Sequence, residues 1–350
     1  MRKGTVLAYA VIAFLAVSTI SLLPPSIAQG TPALNIAVSI QPLAGIVREV
    51  SGDQADIAVL LPEGVEPHAF SLTQAVVDLA NAADMLVLTG HFVWEEELAN
   101  LTSKPYTTLE DYESLGAGLL PLPGLGSQIL RQHAHDENLH GYWLRPKNAI
   151  AIANATRILC SSLNSTYGAY WQARFDEFVN EVHEFEEFVS MQSLIQGFAE
   201  KHVIITFPAE AYVAETFGLD VRGLLMEGDN IFISGPELVA VEAALRNGSI
   251  NLIIASDIAR LQTAGEFAQQ LSMDSGVPIV WVQTVFSELN DYIGIMSFNL
   301  GIVVTGLTGG VPSGFNFLTT SMPIIIIAAV LGTIAVIELV LLLRFTRARD

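Results

Sequence analysis

The feature that most constrains this chain is one long helical stripe. Trp171, Phe175, Phe178, Val182, Phe185 and Val189 follow one another at spacings of 4, 3, 4, 3 and 4, and Asp176, Glu177, Glu181, Glu184 and Glu187 fill the other side. Apolar residues at that interval line one face of a helix with 3.6 residues per turn. A helix of about 29 residues is roughly 43 Å long at 1.5 Å per residue. That is more than one lobe needs and enough to bridge two.

The flanking sequence supplies two lobes to bridge. Strands are predicted over 34–40, 57–61 and 85–88, with helices over 43–50 and 74–82. Behind the long segment come strands over 202–206, 252–255 and 279–282 and helices over 209–217, 236–246, 264–271 and 292–304. Alternating strands and helices argue for parallel sheets covered by helices. The expected fold is therefore α/β: lobes over 29–162 and 196–307, each with a mainly parallel sheet, joined by a rigid helix over 163–195. No sequence repeat relates the two halves.

Both ends are hydrophobic. Arg2 and Lys3 precede an apolar run that reaches Ser26-Ile27-Ala28, the pattern of a secretory signal over 1–28, which would be a membrane anchor if left uncleaved. No cysteine stands near that site to carry a lipid. A second apolar run over 322–343 is interrupted in charge only by Glu338, and Arg344, Arg347 and Arg349 follow it in a tail over 344–350. About 20 such residues span a bilayer, and the basic flank belongs on the cytoplasmic side. Everything between the two runs is then extracytoplasmic, with 308–321, rich in glycine, as a tether. An anchor of this kind suits a cell with no outer membrane to retain a soluble protein, an archaeal type of surface among them.

The formal charge of −20 is carried by the exported part, since both terminal segments are net positive. Such a surface repels nucleic acid and anionic lipid. The single cysteine, Cys160, excludes a disulfide framework, and sequons begin at Asn100, Asn154, Asn164 and Asn247.

Two histidines carry the chemistry. His68 lies where the strand over 57–61 hands over to a loop, and ligands of parallel sheets gather at the carboxyl ends of the strands. His140 stands just ahead of a helix that Pro146 can open. Imidazoles at the mouths of separate elements can converge on one metal ion, because each presents a neutral nitrogen and needs little room.

With these pieces in place, residues 36–307 resemble the zinc- and manganese-binding solute receptors of ABC importers, the group with one linking helix. The resemblance rests on Leu60-Leu61-Pro62-Glu63-Gly64-Val65-Glu66-Pro67-His68-Ala69-Phe70-Ser71-Leu72, on His140 to Pro146 followed by Asn148-Ala149, on the long helix, and on Tyr292 to Leu300. It implies capture of a divalent metal, zinc before manganese, for a permease in the same membrane, by a monomeric ectodomain that is not an enzyme. His68 and His140 match the first two ligand positions, the latter with one extra residue before Trp143. In the second lobe Phe207 occupies the usual ligand place, and Glu210 is the nearest replacement. For the last carboxylate no acid stands in register, which leaves Glu288 or Asp291. His133 and His135, beside Asp136 and Glu137, resemble in position a metal-collecting loop, and His91, His183 and His202 read as structural. An exported adhesion or other non-metal binding module is the alternative, and a zinc-dependent hydrolase with Glu210 as base is the third reading, without a His-Glu-x-x-His run to support it.

Overall fold

A computed structural model describes residues 32–122, 137–228, 231–233 and 235–309. The predicted signal segment, the His133 and His135 loop, and the anchor over 322–343 lie outside these residues. Among the described residues no helix is long and apolar enough to cross a membrane.

The first lobe runs β1 (Leu34–Val38), α1 (Gln41–Ser51), β2 (Ala55–Val59), α2 (Gln74–Ala82), β3 (Met85–Val87), α3 (Val93–Thr102), β4 (Tyr106–Thr107), α4 (Leu109–Ser114), β5 (Leu120–Pro121), β6 (Glu137–Asn138) and α5 (Pro146–Leu163). Its main sheet has the order β2-β1-β3-β4 and is parallel throughout, while β5 and β6 form a small antiparallel pair. Helices cover both faces of the central strands, so Ile36, Ala37 and Val38 in β1 and Met85, Leu86 and Val87 in β3 are all buried. A strand with two buried faces reads as a continuous apolar run.

The linking helix α6 (Gly168–Gln196) follows a short 3-10 turn over Ser165–Tyr167 and ends at Gly197, whose φ of 65° suits a residue without a side chain. It starts a few residues later than the expected 163 because Asn164 leaves the helical region and breaks the chain from α5. Its stripe is buried: Trp171, Phe178, Val182, Phe185 and Val189 join one hydrophobic cluster that includes Val38 and Val87 of the first sheet and Val203, Ile205 and Leu252 beyond the helix.

The second lobe runs β7 (His202–Ile205), α7 (Glu210–Phe217), β8 (Asp220–Leu224), β9 (Met226–Gly228), β10 (Ile231–Phe232), α8 (Gly235–Arg246), β11 (Leu252–Ser256), α9 (Thr263–Ser275), β12 (Ile279–Val282) and α10 (Tyr292–Thr308). Its sheet, β12-β11-β7-β8, is again parallel, with β9 and β10 as a small hairpin. The last helix, α10, turns back onto the first lobe. A Cβ at Gly45 of α1 would stand 3.3 Å from the backbone of Asp291 and Tyr292, so a larger residue would push that backbone back by a few tenths of an ångström. Arg48 donates to the Asn290 carbonyl at 2.8 Å, and the Tyr292 hydroxyl donates to the Leu144 carbonyl at 2.8 Å. The lobes therefore share a seam of helices as well as the long connection.

Candidate metal centre

Because both main sheets are parallel, each sends its strand-to-helix loops out at one edge, and those edges form the two walls of a single pocket. The first lobe contributes Glu66, Pro67, His68, His91, Phe92, His140, Gly141 and Trp143, and the second Phe207, Ala209, Ile258, Thr284 and Val285. His68 follows β2, His91 follows β3, and His140 stands between β6 and α5.

The three imidazoles meet at this point. Their ring centroids are 4.4 Å apart for His91 and His140, 4.7 Å for His68 and His91, and 5.3 Å for His68 and His140. One ring nitrogen from each lies within 4.8 Å of the others. Nitrogens that share a tetrahedral zinc at about 2.0–2.1 Å stand about 3.3 Å apart, so side-chain adjustment alone brings this set onto one ion.

Burial makes the arrangement costly without a cation. Both ring nitrogens of His91 and Nδ1 of His140 are buried with no hydrogen-bond partner. Such groups each cost about 1–3 kcal/mol, and a bound metal would satisfy one nitrogen of each ring. Desolvation, with the neighbouring His140 and His68 adding to it, pushes His91 down to about 2, and desolvation followed by the His68 charge pushes His140 down to about 3. Both rings are then neutral at ordinary pH, the form that coordinates. His68 is exposed and stands at the rim.

Each histidine is placed by its backbone. The turn before His68 is closed by Glu66, whose carboxylate accepts from the Ala69 amide at 2.6 Å. The His140 amide donates to the Asn138 side chain at 3.0 Å, and that side chain in turn donates to the Pro208 carbonyl across the cleft at 2.8 Å. Gly141, with φ of 81°, packs so near Ala209 that a Cβ would lie 3.0 Å from it. The Tyr142 hydroxyl donates to the Thr89 carbonyl at 2.8 Å, which ties the His140 loop to the His91 loop. The His91 loop is held from inside by Glu95: its carboxylate accepts from the Thr89 amide at 2.8 Å, the Thr89 hydroxyl at 2.7 Å, and the His91 and Phe92 amides at 3.1 Å each.

His68 and His140 are thus brought together, and the reading of His91 as structural is corrected: it stands in the cluster with both ring nitrogens buried. Its place directly after a strand was the available signal, the same one that marks His68, but no motif surrounds it. The proposed second-lobe acids are not brought to the cluster. Glu210 is fully buried and accepts from the Thr206 hydroxyl at 2.7 Å and the Phe207 amide at 2.8 Å, and desolvation raises it to about 7. Glu288 is exposed, and Asp291 caps α10 by accepting from the Gly294 amide. Phe207 stands edge-on to His140, 4.8 Å between ring centroids. His183 is exposed on α6, and His202 pairs with Asp220 at 3.2 Å, so neither approaches the pocket.

Two α/β lobes, a linking helix and imidazoles converging between them define a solute receptor for a metal ion. The comparisons agree: residues 36–306 match the family described as zinc-uptake complex component A, periplasmic, and the chain belongs to that family. A manganese-binding lipoprotein of Halalkalibacterium halodurans is 21% identical over 281 residues, covering 79% of this chain and 89% of the relative. The zinc-binding lipoprotein AdcA of Streptococcus pneumoniae strain R6 is 26% identical over 201 residues, 53% of this chain and 38% of that longer protein. Among solved structures, a zinc-bound variant of AdcAII from Streptococcus pneumoniae superposes with a TM-score of 0.63 at 20% identity, covering 79% of this chain and 98% of that one. The manganese complex of FpvC from Pseudomonas aeruginosa gives 0.60 at 18% identity, with 79% and 98% covered. The chain is a metal-binding receptor of the ABC-importer type, not an enzyme.

Proposed function

We propose that this receptor captures zinc in preference to manganese and presents it to the permease of an ABC importer. The observation that carries the reading is the set of converging imidazoles with buried, unpartnered nitrogens at His91 and His140. Nitrogen donors favour zinc, copper and nickel, whereas manganese prefers carboxylate and water oxygen. Among the described residues no carboxylate belongs to the cluster.

The apolar run over 322–343 anchors the receptor, with the lobes outside the membrane. The curated relatives above are lipoproteins by name, but the one cysteine here, Cys160, is buried in α5. A protein span then does the work of a lipid. His133 and His135, which lie in sequence between β5 and β6, collect ions for the site.

Calorimetry on the full-length chain tests the assignment. One zinc per chain is expected, with manganese weaker by at least about tenfold. His68→Ala and His140→Ala should each weaken zinc. Failure of the unmodified chain to bind either ion sinks the reading.

A further inference from the structure

The two walls of the pocket differ in what they can donate. The first lobe presents three imidazoles, and the second presents Phe207, Ala209, Ile258, Thr284 and Val285. Thr284 is the one residue of that second wall with a polar side chain, and its hydroxyl donates to Asp257 at 2.6 Å.

The acids behind the wall are engaged as well. Asp257 accepts from five donors: on one oxygen the Thr284 hydroxyl and the Ile258 amide at 2.9 Å, on the other the amides of Thr284 at 3.0 Å, Val285 at 3.1 Å and Phe286 at 2.7 Å. Turning that carboxylate towards an ion would strip the loop after β12 of its internal support. Glu210 holds the loop after β7 in the same way. Each acid serves its own backbone, and breaking such charge-assisted bonds is expensive.

We propose that the ion is held by His68, His91 and His140, all from the first lobe, and that the second lobe contributes no ligand but an apolar wall of Phe207 and Val285 that closes the site. This rests on the metal-capture reading above. The remaining coordination position faces that wall and takes water or a small anion, since the Phe207 and Val285 side chains carry no donor and the Thr284 hydroxyl is turned to Asp257. Closing the lobes excludes bulk water without adding a bond. Opening them uncovers the ion without removing a ligand, so release proceeds by entry of solvent or of a competing donor.

The wall is also braced against the first lobe. Trp143 donates from its indole to the Thr284 carbonyl at 2.8 Å, and Phe207 packs on His140. Closure is therefore registered by contacts beside the imidazoles rather than by the ion itself.

X-ray absorption at the zinc edge of the full-length chain, loaded with one equivalent of zinc alone, counts the imidazoles directly. Three are expected. Zinc bound with two imidazoles and carboxylate oxygen overturns the one-lobe site while leaving metal capture intact, whereas absence of bound zinc overturns both. His91→Ala should lower the count to two and weaken zinc about 100-fold or more, and an unchanged count overturns the assignment of His91. Phe207→Ala should leave the count at three and speed transfer of zinc to a chelator by about tenfold. Unchanged transfer overturns the role of the wall.

Discussion

In the first lobe the chain leaves β3 through Thr89, Gly90, His91 and Phe92 and is held by the buried carboxylate of Glu95; in the second it leaves β7 through Thr206, Phe207 and Pro208 and is held by Glu210. Both acids sit near the start of the helix that follows, both accept from a threonine hydroxyl at 2.7 Å, and burial raises both above the usual carboxylate range. The loops differ in what they carry into the cleft, an imidazole in one and a phenyl ring in the other. An acid just after a parallel strand is thus no guide to a ligand. The loop closes on itself first, because several amide and hydroxyl donors in a dry interior satisfy one carboxylate without desolvating a cation.

That contrast can be broken most sharply at its two staples. Glu95→Ala frees the amides of Thr89, His91 and Phe92 and lets the His91 ring move, so zinc affinity should drop by about 10–100-fold, the range for groups that orient a metal ligand. Glu210→Ala should lower stability by about 1–3 kcal/mol through its unpaired donors, with zinc affinity changing much less. Calorimetry and denaturant titration on both variants separate the two effects. Equal losses of affinity would mean that both loops serve the ion alike.

A smaller change is expected at the bridge between the lobes. Trp143→Phe keeps an aromatic ring but loses the bond to the Thr284 carbonyl, at a cost of about 1–2 kcal/mol. Zinc should then leave faster while the imidazole count holds, and stopped-flow chelation reads that rate. An unchanged rate would show that the second wall is held elsewhere.

The smallest effect concerns the helix seam. Glu49 of α1 is raised to about 7, first by desolvation and then by Glu181 of α6 and Asp291 ahead of α10, with Arg174 and Arg48 opposing. The folded value lies above the ordinary glutamate value of 4.5, so the folded chain favours the protonated acid. Its contribution is complete below pH 4.5 and is lost as pH rises through 7. Thermal unfolding of Glu49→Gln should lose this share of the wild-type slope, about 1 kcal/mol or less after solvent screening. A slope identical to wild type would show that the seam does not strain this group.

Much of the frame was legible in the chain. The stripe from Trp171 to Val189 predicts α6 because every member is an apolar residue at helical spacing, and all but the half-buried Phe175 are buried. The strands around Val38, Val87 and Ile254 read clearly for the same reason. Helix α3 did not, since its inner face includes the buried Glu95 and so shows no clean apolar stripe. Strand β8 was missed too: Asp220, Arg222 and Gly223 dilute its pattern, and its pairing with β7 shifts register. In the site, His68 and His140 were legible from their surrounding motifs, whereas His91 and the engaged states of Glu210 and Asp257 were not.

Sequence by itself determined two parallel-sheet lobes, the helix between them and two of the three imidazoles, because periodicity and local motifs record what each segment buries or presents. Only the tertiary structure decided that His91 joins the cluster, that Glu210 and Asp257 turn to the backbone of their own loops, and that Phe207 packs on His140. Those outcomes depend on which loops meet at the carboxyl edges of two sheets and on which donors a buried carboxylate finds there. Residues 6 and 49 positions apart, such as Glu95 and Thr89 or His140 and His91, carry no local sign of such meetings.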